Sequence, residues 1–203
     1  MALTKSVERL SEADYLEIER AAEFKSEFYD GEMFAMSGGT RRHSLIGLNF
    51  AAELRSLLKK HGCIVYDSDL RIKIEQTGLY TYPDVSVACG EERFADQETD
   101  TLLNPVLLVE VLSDSTEAYD RGKKFEHYRL IPSLREYLLI SQREPRIDQF
   151  IRQPSGDWLL HEAVGLDSTI HLPSIDVTLP LVEVFAKVVF SPLPIRDDAR
   201  QQR

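Results

Sequence analysis

The sequence predicts an α/β fold in which a mixed β-sheet is flanked by helices. Three observations carry this expectation. Residues 43–60 place Ile46, Phe50, Leu54 and Leu57 at helical spacing, and Gly62 follows where a helix stops. Residues 106–112, opened by Pro105, form an almost unbroken apolar run of the kind found in a strand covered on both faces. The pattern along the chain then reads helix, three strands, helix, strand, an order that builds an α/β sandwich on a mixed sheet.

The elements follow from local signals. Ser11 and Asp14 have capping-box spacing, and Ala13, Leu16, Ile18 and Ala22 continue in helical register, so residues 12–22 read as a helix. Residues 27–36 put the turn-forming Asp30-Gly31 between two apolar pieces, which reads as a hairpin, and Ser37-Gly38-Gly39-Thr40 breaks the chain. Residues 66–74 alternate, with Leu70, Ile72 and Ile74 on one face and Arg71 and Lys73 on the other, as a half-buried strand does. A second strand is expected over 80–89, and 90–104 is a polar, acid-rich loop. Ser115 or Thr116 can cap a helix that runs to about residue 130 before Pro132, and residues 135–140 return as a strand. A second hairpin is expected from 146–152 and 158–163, then a strand at 169–172 and a short helix at 182–188.

A chain of 203 residues with 43% hydrophobic content suits one domain, here 1–190, and residues 191–203 read as a loose tail. No run approaches the ~20 apolar residues of a membrane helix, and the first ten residues lack the apolar core of a secretory signal. A cytoplasmic protein without membrane contact is the expectation. Cys63 and Cys89 stand alone, without a Cys-x-x-Cys or zinc-like interval, and read as reduced packing residues. A net charge of −10 argues against a high-affinity, sequence-independent nucleic-acid coat, which rests on many Lys and Arg contacts to phosphate, so any DNA contact must come from a local patch.

Glu110 is the most informative residue. A carboxylate inside Val106-Leu-Leu-Val-Glu-Val-Leu112 costs several kcal/mol to bury unpaired, so it must meet a cation, a metal or water. Taken alone, it reads equally as a strand-end side chain wetted by solvent. Asp84 is another acid in an apolar strand, next to Pro83, which marks an edge or a distortion. Taken alone it reads as a turn acid. Together, the two carboxylates on neighbouring strands suit Mg²⁺ or Mn²⁺, which bind through one or two carboxylates plus water and a substrate phosphate. In the following helix Arg121, Lys124 and Tyr128 fall on one face and make a phosphate cradle; the bland alternative pairs Lys124 with Asp120 on a solvated surface for ~0.3–0.5 kcal/mol. His61, His127, His161 and His171 have no ligand spacing.

Pro83-Asp84, Glu110-Val-Leu-Ser113, Asp120-Arg-Gly-Lys-Lys124 and Tyr128, in this order, resemble the Uma-two family of restriction-endonuclease-like proteins. The resemblance also takes in Glu27 to Met36, His43 and Tyr137 to Ile140, and so covers most of residues 12–190. It implies the PD-(D/E)XK nuclease fold, a Mg²⁺ site from Asp84 and Glu110, and a basic residue that orients water. Leu112 stands where the general nuclease signature has lysine, and the resemblance implies that Lys124 takes over that role. It further offers Glu27 as an additional metal ligand and His43, with Arg121 and Tyr128, as groups supporting the ligands or the phosphate.

The expectation is therefore a metal-dependent endonuclease that hydrolyses phosphodiester bonds, in DNA, with Asp84, Glu110 and Lys124 as its catalytic core. The rival from another class is an idle relative that uses the fold as a binding or assembly module, favoured by the acidic balance and the missing strand lysine. A third reading keeps the same chemistry on another phosphate ester. A homodimer stands as a candidate assembly.

Overall fold

The structure, a computed structural model, describes residues 9–190; the tail expected at 191–203 lies outside the described residues. Helix α1 (Glu12–Ala21) is closed by the capping box: Asp14 N–H donates to Ser11 Oγ at 3.2 Å, and Ser11 N–H donates to Asp14 Oδ2 at 3.0 Å. The first hairpin is β1 (Ser26–Tyr29) and β2 (Glu32–Ala35), with Asp30 and Gly31 at φ of 49° and 80°. A two-residue turn between twisted strands needs this left-handed pair. Helix α2 (Arg41–Leu57) starts on Thr40, whose hydroxyl accepts the His43 N–H at 3.1 Å, and ends in a 3₁₀ turn at Leu58–Lys60.

Two strands expected to be continuous are each divided. Residues 66–74 split into β3 (Cys63–Asp67) and β4 (Arg71–Ile74), and residues 80–89 into β5 (Leu79–Thr81) and β6 (Val85–Cys89). The cause is that β3 and β6 belong to one sheet, whereas β4 and β5 belong to another. The chain crosses between the sheets after β3 and returns at Tyr82-Pro83-Asp84, where proline has no N–H to give to a ladder. The polar loop expected at 90–104 also contributes β7 (Thr101–Leu102), parallel to β4 with Leu102 buried.

The apolar run forms β8 (Leu107–Val111). Helical structure follows as α3 (Glu117–Tyr119), a π-helical turn (Asp120–Lys124) and α4 (Phe125–Tyr128). The chain finishes with β9 (Glu136–Ile140), β10 (Arg146–Arg152), β11 (Trp158–Val164), β12 (Thr169–Leu172), β13 (Val177–Pro180) and α5 (Leu181–Val184). Strand β13, unsuspected in the sequence, pairs with β12 as a hairpin.

The larger sheet has the order β11-β10-β9-β8-β6-β3, and β8 inside it runs antiparallel to β6 and parallel to β9. The smaller has the order β2-β1-β5-β4-β7. Leu107, Val109 and Val111 face a core shared with Ile46, Phe50 and Leu54 of α2 and with the β12–β13 hairpin. Leu108 and Leu112 face the opposite core, with Tyr128, Ile131, and Ile72 and Ile74 of β4. Both faces of β8 are thus covered, which explains its unbroken apolar sequence. A third cluster seats α1, where Tyr15 stacks on Phe28 with ring centroids 4.8 Å apart.

The cysteines correct the reading of them as reduced packing residues. Cys63 and Cys89 are register partners in β3 and β6 and are joined as a disulfide. Gly90 N–H donates to Gly62 O at 2.8 Å, so the next pair inward is a non-hydrogen-bonded one, where antiparallel strands approach most closely. Their separation of 26 residues gives no hint of this until the register is known.

Candidate active site

Alternation along β8 points Glu110 to the same face as Leu108 and Leu112, beneath the helical segment that follows. Glu110 is only 5% exposed, and its Oε1 accepts from Tyr128 Oη at 2.8 Å and faces Lys124 Nζ at 2.9 Å. Burial pushes its carboxyl well above the usual range; Lys124 opposes that push, and Asp120 and Asp84 add to it.

Lys124 stands among three carboxylates: Glu110 at 2.9 Å, Glu27 at 3.3 Å and Asp120 at 3.7 Å. Burial works against its charge, but Glu110, Glu27 and Asp120 outweigh that and hold it protonated, well above its ordinary range. The rings of Tyr119 and Tyr128 flank the ammonium at 5.8 and 6.0 Å. The π-helical turn produces this arrangement. Its wider winding brings positions four apart into line, so Asp120, Lys124 and Tyr128 are all buried on the inner side.

Asp84 sits at the bend where the chain re-enters the larger sheet. Its Oδ2 accepts the Val111 N–H at 2.7 Å, doing for that amide what a neighbouring strand's carbonyl would do. His43 Nε2 lies 3.2 Å from the same oxygen. Burial lowers the imidazole's affinity for a proton, but the hydrogen bond to Asp84 and its charge prevail and raise the pKa above the ordinary value. His43 can approach because Gly39 is small: a Cβ there would lie 2.8 Å from His43 Nδ1. The first turn of α2 carries Arg41, Arg42 and His43 and no acid, against the preference of a helix N-terminus, and of the three His43 is the one that faces a carboxylate among the described residues.

The structure brings together Glu27, His43, Asp84, Glu110, Lys124 and Tyr128, and it does not bring Arg121 with them. Arg121 Nη1 reaches Asp148 Oδ2 at 2.7 Å and its Nε reaches Glu117 Oε1 at 2.9 Å, so its guanidinium is held outside the cluster. The expected common face of Arg121, Lys124 and Tyr128 assumed regular α-helix, and the π-helical turn removes Arg121 from it. Glu27 is engaged on both oxygens: Thr81 Oγ1 donates to Oε1, which also faces Lys124, and Tyr119 Oη donates to Oε2 at 3.2 Å. Its contacts hold Lys124 in place. Sequence reasoning missed Tyr119 and Thr81, and it weighed Asp120 only as a surface partner of Lys124. The Asp120–Lys124 spacing was visible, but only the π-helical turn turns both side chains inward.

Glu27, His43, Asp84, Glu110, Asp120 and Lys124 form the floor of a cleft of about 950 Å³. Its walls come from β2 and the Ser37–Thr40 loop, the start of α2, the residues after β8, Gln142 and Arg143, and Val188 and Val189. Among the described residues, Asp84 Oδ1 and Glu110 Oε2 have no hydrogen-bond partner, so each carboxylate has an oxygen to offer. No three His, Cys, Asp or Glu side chains among the described residues converge as a complete metal-binding group. The donor set therefore fits a hard cation bound through two carboxylates with water and substrate completing its shell, and does not fit an all-protein cage.

A mixed sheet carrying one acid on a central strand and a second at the mouth of its neighbour, roofed by a helix that supplies a lysine, places the molecule in the restriction-endonuclease-like fold. A crystal structure from Anabaena variabilis, described as "a putative nuclease belonging to DUF820", shares this fold with a TM-score of 0.69 and 19% identity, over 87% of this chain and 98% of that one. The chain belongs to the Uma2 family, described as "Putative restriction endonuclease", whose model matches residues 12–181. Two uncharacterized proteins of Synechocystis sp. are relatives. One is 37% identical over 90% of this chain and 94% of its own length, and the other 35% identical over 84% and 96%.

Proposed function

We propose that this protein is a nuclease that hydrolyses phosphodiester bonds in nucleic acid, DNA foremost, with Mg²⁺ or Mn²⁺ held by Asp84 and Glu110. The observation that carries the reading is the Lys124 ammonium 2.9 Å from Glu110 on the floor of an open cleft, beside two carboxylates that each keep a free oxygen. When bound, the divalent ion supplies Lewis acidity and lowers the pKa of attacking water. The protein's own groups do the rest. Lys124 neutralises charge developing on the phosphate and positions the water, while Glu27 and Asp120 fix the ammonium in place. Tyr128 orients Glu110, and the Val111 amide with His43 orients Asp84. Water adds across one P–O ester bond, leaving a phosphomonoester end and a hydroxyl end.

The test is cleavage of plasmid and oligonucleotide DNA with Mg²⁺ or Mn²⁺, paired with calorimetric titration of the ion, for the native chain and for Asp84→Asn. Metal-dependent cleavage and binding heat are expected in the native chain and absent in Asp84→Asn; nicking that survives in the variant would remove Asp84 from the site. The rival reading, an idle module, is favoured by the tightness with which Lys124 is held, since a purely structural ion cluster has the same form. It predicts no heat and no cleavage in either protein.

A further inference from the structure

We propose that the cleft takes single-stranded rather than duplex nucleic acid, with Phe34 as the platform on which a base stacks; this rests on the reading of the floor as a phosphodiesterase site. In the β1–β2 register Phe34 lies directly opposite Glu27, and opposed residues of an antiparallel pair project from the same face. Glu27 reaches down to Lys124, so the Phe34 ring stands on that face, above the floor. It lines the cleft and is 49% exposed. No core packing accounts for so open an aromatic ring. Two residues further along, Met36 follows on the same face and also lines the cleft.

The charges argue against a duplex. Binding a double helix draws on many cations facing phosphates of both strands. Around this cleft Arg143 is paired with Asp114 at 2.6 Å and Lys124 is enclosed by carboxylates, while Arg42 keeps its charge but has its guanidinium tethered to the Gln142 carbonyl at 2.8 Å. Arg41 is the one cation lining the cleft that has neither an ion pair nor a hydrogen-bonded carbonyl among the described residues. What the rim offers is apolar and aromatic surface, Phe34 and Met36 on one side and Val188 and Val189 on the other. Exposed base faces exist in single strands and are shielded in a duplex, and a stacked base contributes affinity without regard to sequence. At about 950 Å³ the cleft lies at the upper end of pockets that enclose a small ligand, which suits a short run of unpaired nucleotides over the acids.

Fluorescence anisotropy with labelled oligothymidylate and with a duplex of the same length, in Ca²⁺ to prevent turnover, tests the proposal on the full chain. Single strand is expected to bind at least about tenfold more tightly than duplex, and Phe34→Ala to weaken single-strand binding by about tenfold, as loss of one stacked base does. Phe34→Trp should restore it, with the added indole quenched by the single strand and not by the duplex. Equal affinity for both substrates, or unchanged single-strand binding in Phe34→Ala with an unaltered melt, overturns the proposal. Hydrolysis lost in Asp84→Asn while Phe34→Ala binds normally would overturn the stacking role and leave the catalytic reading standing. Phe34-dependent single-strand binding by a chain that cleaves nothing would support the stacking role and remove the catalytic one.

Discussion

A buried ammonium shared by Glu110, Glu27 and Asp120 cannot be removed without leaving three carboxylates facing one another. Lys124→Met keeps the volume and deletes the charge. Urea unfolding at neutral pH should show a loss of about 3–5 kcal/mol, the scale for breaking a buried ion pair, against the few tenths expected of a surface pair. Burial already raises the carboxyls of Glu110 and Asp120 against the opposing pull of Lys124, so without the ammonium both lie further above their unfolded values, and the loss should shrink as pH falls and protonation relieves the crowding. A pH-independent deficit would show that Lys124 contributes packing alone. Leu112, buried on the face of Glu110 and lining the cleft, is the place where a lysine could substitute. Lys124→Met combined with Leu112→Lys should regain part of the cleavage lost in the single variant. A double variant with a native melt and no cleavage would show that the two positions do not reach the same volume.

The π-helical turn sets the phase between Asp120 and Tyr128, so removing one residue from it should undo the site while keeping the helix. Gly122 is exposed, and a Cβ there would meet nothing within 4 Å, which makes it the residue to delete. Circular dichroism should show helix content retained, with ion-binding heat and cleavage lost; retained cleavage would mean the phase is not what assembles the site. The disulfide acts on β3 and β6. By loop-closure entropy for its 26-residue separation, replacing both cysteines with serine should cost about 3.5 kcal/mol. Reductant should lower the melting temperature of the native protein and leave that of the double variant unchanged. Elements of this kind mark the limit of what could be read from sequence. Periodicity revealed β8 and α2, because a two-sided core and an apolar stripe are written in consecutive residues. It hid the breaks at Ser68–Leu70 and Tyr82–Asp84, because an alternating pattern is the same whether its two halves pair in one sheet or in two. The acids of the floor were legible as polar intrusions in apolar strands. Tyr119, Thr81 and the inward turn of Asp120 were not, since each depends on winding or register.

Across the whole molecule, α1 is tied to the smaller sheet by a charge cluster. Asp100 accepts from Arg20 of α1 at 2.8 Å and faces Arg71 of β4 at 2.9 Å, while Arg20 also reaches Asp96 at 2.7 Å. Its hydrogen bond with Arg20, aided by Thr101 and Arg71, holds the Asp100 carboxyl well below the usual range. A carboxyl depressed on folding contributes stability that is present above its unfolded pKa, about 4, and is lost as pH falls toward the folded value. Thermal melts should therefore show stability falling below about pH 4 in the native protein, and Asp100→Asn should start lower at neutral pH and fall less steeply in acid. Parallel pH profiles for the two would exclude Asp100 as a source of acid sensitivity.

The floor of the cleft is drawn from β1, α2, the bend before β6, β8 and the π-helical turn, and β8 needs β9 beside it to complete its pairing. A growing chain that has emerged only as far as Val111 holds both candidate metal ligands and lacks the lysine, the tyrosine and the strand that seat them. A chain truncated there is expected to bind no ion and cleave nothing, which titration and a cleavage assay on the 1–111 fragment would check. On the proposed reading, competence waits on the segment after Val111, so the order of the chain itself makes the acids the first part of the site to be present and the ammonium that they hold the last.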